Sequence, residues 1–245
     1  MKKKDKEKTK DKKEPSDRKK KIIRILRKTL MWAAIVIFGL PILGVLIYKW
    51  APVRYTPLMF QRKFSDRADS REAHQTWVPY SEISPQLTRA VISSEDNLFA
   101  KHWGFSFGSM RAAWRDNQKG KQIRGGSTIS QQCAKNVFLP HWQSYFRKAY
   151  EAYFTILIEI IWGKERIMEV YLNVIEMGPG VYGAEEASQR YFHHSARKLS
   201  AAESALIAAC LPNPRRFLVA APSQYVRGRQ QTIMGLMPKM GEIKL

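Results

Sequence analysis

The chain has 245 residues, 44% of them hydrophobic, with 42 Lys+Arg against 21 Asp+Glu and a net charge of +21. That apolar content is enough for a folded core and excludes a chain disordered throughout. The charge is uneven: residues 1–28 hold 15 Lys+Arg and 5 Asp+Glu, so this tail is too polar to fold, while the remainder is still basic and points to an anionic partner or a solvated basic surface.

Thr29 to Tyr48, "TLMWAAIVIFGLPILGVLIY", is 20 residues without a formal charge, about the length a helix needs to cross a bilayer core of ~30 Å. Trp32 at one end and Tyr48 and Trp50 at the other suit the two interfaces. A cleaved signal peptide fits less well, because its apolar core is usually shorter and no small-residue cleavage site follows Tyr48. The Lys-rich tail places the N-terminus in the cytoplasm and everything after about Lys49 outside. An outward-facing basic domain meets lipids and lipid-linked phosphates rather than nucleic acid. The expected division is therefore a basic tail (1–28), a transmembrane helix (29–48), a membrane-proximal linker or small lobe (49–76) and a main domain (77–245).

That domain reads as mostly helical. "TWVPY" is the best strand signal, limited by Pro79. "SPQLTRAVISS" starts at a cap, Ser84, with Pro85 in the first turn. It ends at Glu95 and Asp96, acids that a helix C-terminus disfavours. A Glu beside Phe99, His102 and Trp103 would be partly desolvated, which raises its pKa toward that of a general base. Two solvated loop carboxylates are the alternative. "SFGSMRAAWRDNQKG" follows, from a possible cap at Ser106 to Gly120.

In "IRGGSTISQQCAKN" we expect Ser127 to cap a helix after Gly125-Gly126. Thr128, Gln131, Gln132 and Lys135 then share one face. Neutral donors, a lysine and a helix start make a site for an oxygen-rich anion; a capped surface helix is the plainer reading. "SYFRKAYEAYFTILIEIIWG" is expected to be a central buried helix. Its Ser144, Arg147, Lys148 and Glu151 again lie on one face, with Glu151 placed to pair with Arg147. Thr155 and Glu159 continue that line, and Glu159 is expected to have a structural partner. "KERIMEVYLN", then "SAAESALIAACL" with a capping box at Ser200 and Glu203, then "SQYVRGRQQTIMGLMPKM" complete the helices. Cys133 and Cys210 read as packed thiols, although an outer compartment would permit a disulfide. No Cys/His metal spacing occurs, and the adjacent His193 and His194 read as surface residues.

"EDNLFAKHWG", "GGSTISQQCAKN", "RKAYE", "KERIMEVYLN" and "ALIAACLPNP" stand in this order. The pattern resembles the five motifs of family 51 glycosyltransferases, the peptidoglycan transglycosylases, from about Trp77 onward. With one membrane helix and no room for a transpeptidase domain, the chain looks like the monofunctional members of that family. Its two S-x-x-K strings, at Ser16 and Ser195, lack the partner motifs of such a domain.

The resemblance implies a mainly α, lysozyme-like helical domain with a small mobile lobe. It implies polymerisation of lipid II into glycan strands, by inverting attack of an acceptor sugar 4-hydroxyl on the donor anomeric carbon with release of undecaprenyl diphosphate. It implies Glu95 as general base and Glu151 as a second acid by the leaving group. Ser127, Thr128, Gln131, Gln132, Lys135, Arg147 and Lys148 would hold the diphosphates and sugars. No cofactor is required, although a divalent metal (Mg²⁺ or Mn²⁺) near Glu151 and the diphosphate is compatible with the pattern. The partners are lipid II, the growing glycan chain and membrane lipids, with other cell-wall synthesis proteins as candidates, but not nucleic acid. The chain departs from the pattern at Ser106, where the family has Asp, and at Gln143, where it often has a phosphate-binding Arg. A lytic glycosidase and an inactive membrane scaffold are the rival classes.

Overall fold

A computed structural model of the chain describes residues 17–65, 74–108, 111, 115, 126–140 and 144–245. Gly120, Gly125 and Gln143, and most of the helix expected from Ser106, lie outside the described residues. The chain divides into two compact units, Met1–Gly44 and Val45–Leu245.

In the first unit the helix starts earlier than expected. Helix α1 (Asp17–Ala34) runs through a π-helical turn (Ile35–Gly39) into α2 (Leu40–Tyr48). Residues 17–28 are thus helical, not an unfolded tail, because extending an existing helix is far cheaper than nucleating one. They place Lys20, Lys21, Arg24, Arg27 and Lys28 on one face and Ile22, Ile23, Ile25 and Leu26 on the other. Pro41 offers no N–H and its ring crowds the carbonyl one turn earlier; the widened π turn accommodates it. The Arg18–Tyr48 stretch is long and apolar enough to cross a membrane.

In the second unit the final turn of α2 is tied to the body. Trp162 Nε1 donates to the Val45 carbonyl (2.7 Å), and Arg166 donates to the carbonyls of Tyr48 (2.9 Å) and Ala51 (2.5 Å). Helix α3 (Pro57–Ser65) follows, its start bonded by the Thr56 hydroxyl. Helix α4 (Pro85–Glu95) has Ser84 as cap and Pro85 in its first turn, as expected, and Ser84 also donates to the Leu199 carbonyl. Next come α5 (Ile129–Phe138), α6 (Tyr145–Ile161), α7 (Gly163–Val174), α8 (Ala184–Phe192), α9 (Ala201–Cys210, with the predicted Ser200/Glu203 capping box) and α10 (Gln224–Leu236). Helices α4 and α10 pack on α9, and α5 packs on α6 and α7. Their shared core includes Leu87, Ile92, Ile129, Ile158, Met168 and Ile207. Cys133 and Cys210 are buried free thiols within it.

Three short strands, β1 (His74–Gln75), β2 (Glu176–Gly178) and β3 (Val181–Tyr182), form a sheet in the order β1-β3-β2, parallel on one side and antiparallel on the other. The expected strand "TWVPY" is irregular instead. Its Val78 is held at both backbone groups by the Asn173 side chain (3.0 and 2.9 Å), and only His74 and Gln75, just before it, join the sheet.

Helix α6 also departs from expectation. Its buried side carries Glu151, Phe154, Thr155, Ile158 and Glu159, while Tyr145, Phe146, Ile156 and Ile160 are exposed along the opposite face. Glu159 has the structural partners expected of it: the Ser130 hydroxyl at 2.5 Å and Lys164 at 2.7 Å.

Candidate active site

Glu95 occupies the last turn of α4, where the chain leaves the helix. Its Oε2 accepts a hydrogen bond of 3.0 Å from Gln132 Nε2 on α5. Burial pushes its carboxyl up; the Gln132 bond and the Arg229 charge from α10 oppose that, and neighbouring Asp96 adds to it. The raised pKa is as expected, but the surroundings are not. Trp103 is exposed, and His102 faces Asp96.

Asp96 is fully committed. One of its oxygens accepts from the Ile129 N–H at 3.1 Å, and both lie within 3.0 Å of His102 Nε2. A carboxylate on the first N–H of α5 offsets the charge of that helix end. Asp96 therefore fixes the start of α5 beside the end of α4.

The start of α5 corrects the expected cap. Thr128, not Ser127, is the N-cap, in a reciprocal box with Gln131: the Thr128 hydroxyl accepts from the Gln131 N–H (3.2 Å) and Gln131 Oε1 accepts from the Thr128 N–H (3.0 Å). The Thr128 hydroxyl donates to the Gly104 carbonyl (2.6 Å). Gly104 has φ +74°, and a Cβ there would meet Thr155 at 2.6 Å, so only glycine lets this loop close against α6. Thr128 and Gln131 are buried and occupied with each other, and Ser127 is exposed outside the helix. The expected row of four donors is thus reduced to Gln132 and Lys135.

Gln132 reaches Glu95, and Lys135, one turn on, faces the acid of α6. Burial pulls the Lys135 ammonium below its ordinary pKa; Glu151 opposes this, and the Arg147 and Lys148 charges add to it. Glu151 is buried, with Arg147 Nη1 at 3.2 Å from one oxygen and Lys148 Nζ on the other. Ser144 caps α6 by accepting from the Arg147 N–H. Arg147 Nε is buried with no acceptor among the described residues. Three cations around one carboxylate leave excess positive charge and an unused donor, the inventory of a diphosphate site. The same arrangement suits a divalent metal poorly: both oxygens of Glu151 already face cations, and no cluster of three His, Cys, Asp or Glu occurs among the described residues.

Sequence reading missed Tyr171, whose hydroxyl donates to Gln132 Oε1 at 3.1 Å, and Arg229. Tyr171 stands in the quoted motif "KERIMEVYLN", which reads only as a helix and a family motif, with no single residue of it standing out. Arg229 is one of several arginines on the last helix, and nothing local distinguishes it.

A buried acid with a raised pKa and a cluster of three cations, both reached from one helix, are the features of a candidate active site. Residues 61–238 match the transglycosylase family, and the chain belongs to that family. It is 51% identical over 220 residues to a biosynthetic peptidoglycan transglycosylase of Bacteroides thetaiotaomicron, which spans 89% of this chain and 87% of that protein. Proteins of the same name from Bdellovibrio bacteriovorus (48% over 226 residues, 90% of each chain) and Caulobacter vibrioides (48% over 210 residues, 86% and 90%) are similar to it as well.

Proposed function

We propose that the chain is a membrane-anchored peptidoglycan glycosyltransferase that polymerises lipid II. Glu95 takes the proton from the 4-hydroxyl of the acceptor sugar as that oxygen attacks the donor anomeric carbon. The bond from that carbon to the diphosphate oxygen breaks, the configuration inverts and undecaprenyl diphosphate departs. Arg147, Lys148 and Lys135 hold the diphosphate, and Glu151 keeps Arg147 and Lys148 in place. These cations carry the charge a metal would otherwise carry.

The observation behind this reading is the double reach of α5: Gln132 bonds the raised-pKa Glu95, while Lys135 faces the cluster at Glu151. A glycosidase has no use for such a cluster. The anchor is the Arg18–Tyr48 helix, with the N-terminus cytoplasmic and the domain outside the inner membrane. Exposed Trp50, Tyr55 and Phe60, and the exposed apolar face of α6, suit work against a bilayer.

Incubating the full chain with labelled lipid II should yield polymeric glycan, and with finished glycan no released muropeptides. Muropeptide release without polymer would overturn the proposal.

A further inference from the structure

Glu95, Gln132 and Tyr171 form a chain of hydrogen bonds that crosses three helices, and its polarity is forced by chemistry. An ionised carboxylate only accepts, so the Gln132 amide must turn its Nε2 toward Glu95, at 3.0 Å. Oε1 then faces Tyr171, and the phenol, 3.1 Å away, must be the donor. Were the amide reversed, Oε1 would confront the carboxylate. Tyr171 is completely buried in the last turn of α7, and its ring has no freedom to leave.

We propose that Tyr171 is a positioning residue: its hydroxyl, acting through Gln132, sets the protonation equilibrium of Glu95. The catalytic consequence rests on the reading of Glu95 as the base. The phenol stays a donor at every working pH, because burial, reinforced by the nearby Glu95, holds its ionisation well above the ordinary tyrosine range. The other groups that face Glu95 are Arg229 from α10, which favours the carboxylate, and Asp96 beside it, which disfavours it. Cys133, next to Tyr171, stays a neutral thiol because burial raises its pKa. Against this fixed background the polarity of Gln132 is the element a single hydroxyl controls. Without the O–H, Oε1 is left unpaired and the amide is free to turn. Glu95 then loses its donor and protonates more readily.

The test uses the full chain in detergent. The infrared band of the protonated Glu95 carboxyl is isolated by subtracting the spectrum of Glu95→Gln. In Tyr171→Phe the midpoint of that band should rise by about one pH unit, the scale of one charge-assisted hydrogen bond. The acid limb of the polymerisation rate should move up with it. Gln132→Met should raise the midpoint too, and Tyr171→Phe added to it should cause no further shift. This double variant pairs two apolar groups, so the comparison survives if Tyr171→Phe alone fails to fold. An unmoved midpoint, or a further shift in the double variant, overturns the proposal. Turnover that survives Glu95→Gln would retire Glu95 as base and leave the infrared result to judge Tyr171 separately.

Discussion

Gln132 donates to Glu95 across 3.0 Å, joining the end of one helix to the side of another, and the acid receives this bond while enclosed enough for its pKa to be raised. The Gln132 bond gives Glu95 a fixed direction, and burial, which outweighs the lowering effect of that bond, brings its ionisation closer to neutrality.

Replacing Glu95 by Gln keeps the shape and removes the basicity. Turnover of labelled lipid II should fall by roughly 10²–10⁴, the contribution of a positioned base. Binding of a non-reactive donor analogue should persist. Near-normal turnover would require another base, and Asp96 is a poor one because His102 and the Ile129 N–H already occupy it.

Donor binding should weaken on the alkaline side. The Lys135 pKa lies below the ordinary lysine value, so this group loses its charge, and with it its hold on a diphosphate, at a lower pH than a surface lysine would. Below that pKa the charge is present and affinity is full. Lys135→Met should lower donor affinity and abolish that alkaline limb, as titration with the analogue at several pH values will reveal. Glu151→Gln should reduce both affinity and rate, since Arg147 and Lys148 lose the group that orders them. If Glu151→Gln altered rate alone, its role as organiser of the cluster would be wrong.

Glu159 should matter for stability rather than chemistry. It is buried and holds Ser130 and Lys164, and Lys164 in turn lies 4.5 Å from the centre of the Phe99 ring. Glu159→Ala would leave a largely enclosed ammonium unpaired, which costs about 3–5 kcal/mol. A large fall in Tm is expected by calorimetry; a Tm like that of the wild type would contradict this account.

The boundary of the second compact unit can be tested by truncation. Residues 45–51 supply the carbonyls that satisfy Trp162 and Arg166. A chain of residues 45–245 should therefore melt well above one of residues 52–245, since each buried donor left unpaired costs about 1–3 kcal/mol. The longer piece should still polymerise lipid II, but more slowly on vesicles than the full chain, because the anchor raises the local substrate concentration. Equal melting temperatures would show that these carbonyls contribute nothing.

Much of this protein was legible in its sequence because the signals are local. The uncharged run to Tyr48, the caps at Ser84 and Ser200 and the clustering of Arg147, Lys148 and Glu151 all follow from spacing along one chain segment. The short strands were not legible: two or three residues carry no periodicity, and their pairing joins His74 to Val181.

The tertiary structure decided what the polar residues do. Ser127 and Thr128 are both good caps, and the choice fell to Thr128 because Gly104, 24 residues away, accepts its hydroxyl proton and Asp96 accepts the next N–H. That choice separates two adjacent glutamines by one helix step of 100°. Gln131 closes the cap, and Gln132 turns to Glu95. The exposed apolar side of α6 was equally hidden, since hydrophobic content reveals which residues avoid water but not whether protein or lipid covers them. Sequence by itself determined the helices and the kinds of group at the site. Only the packing of α4, α5 and α7 determined which groups meet, because a hydrogen bond depends on distances of a few tenths of an ångström between segments far apart in the chain.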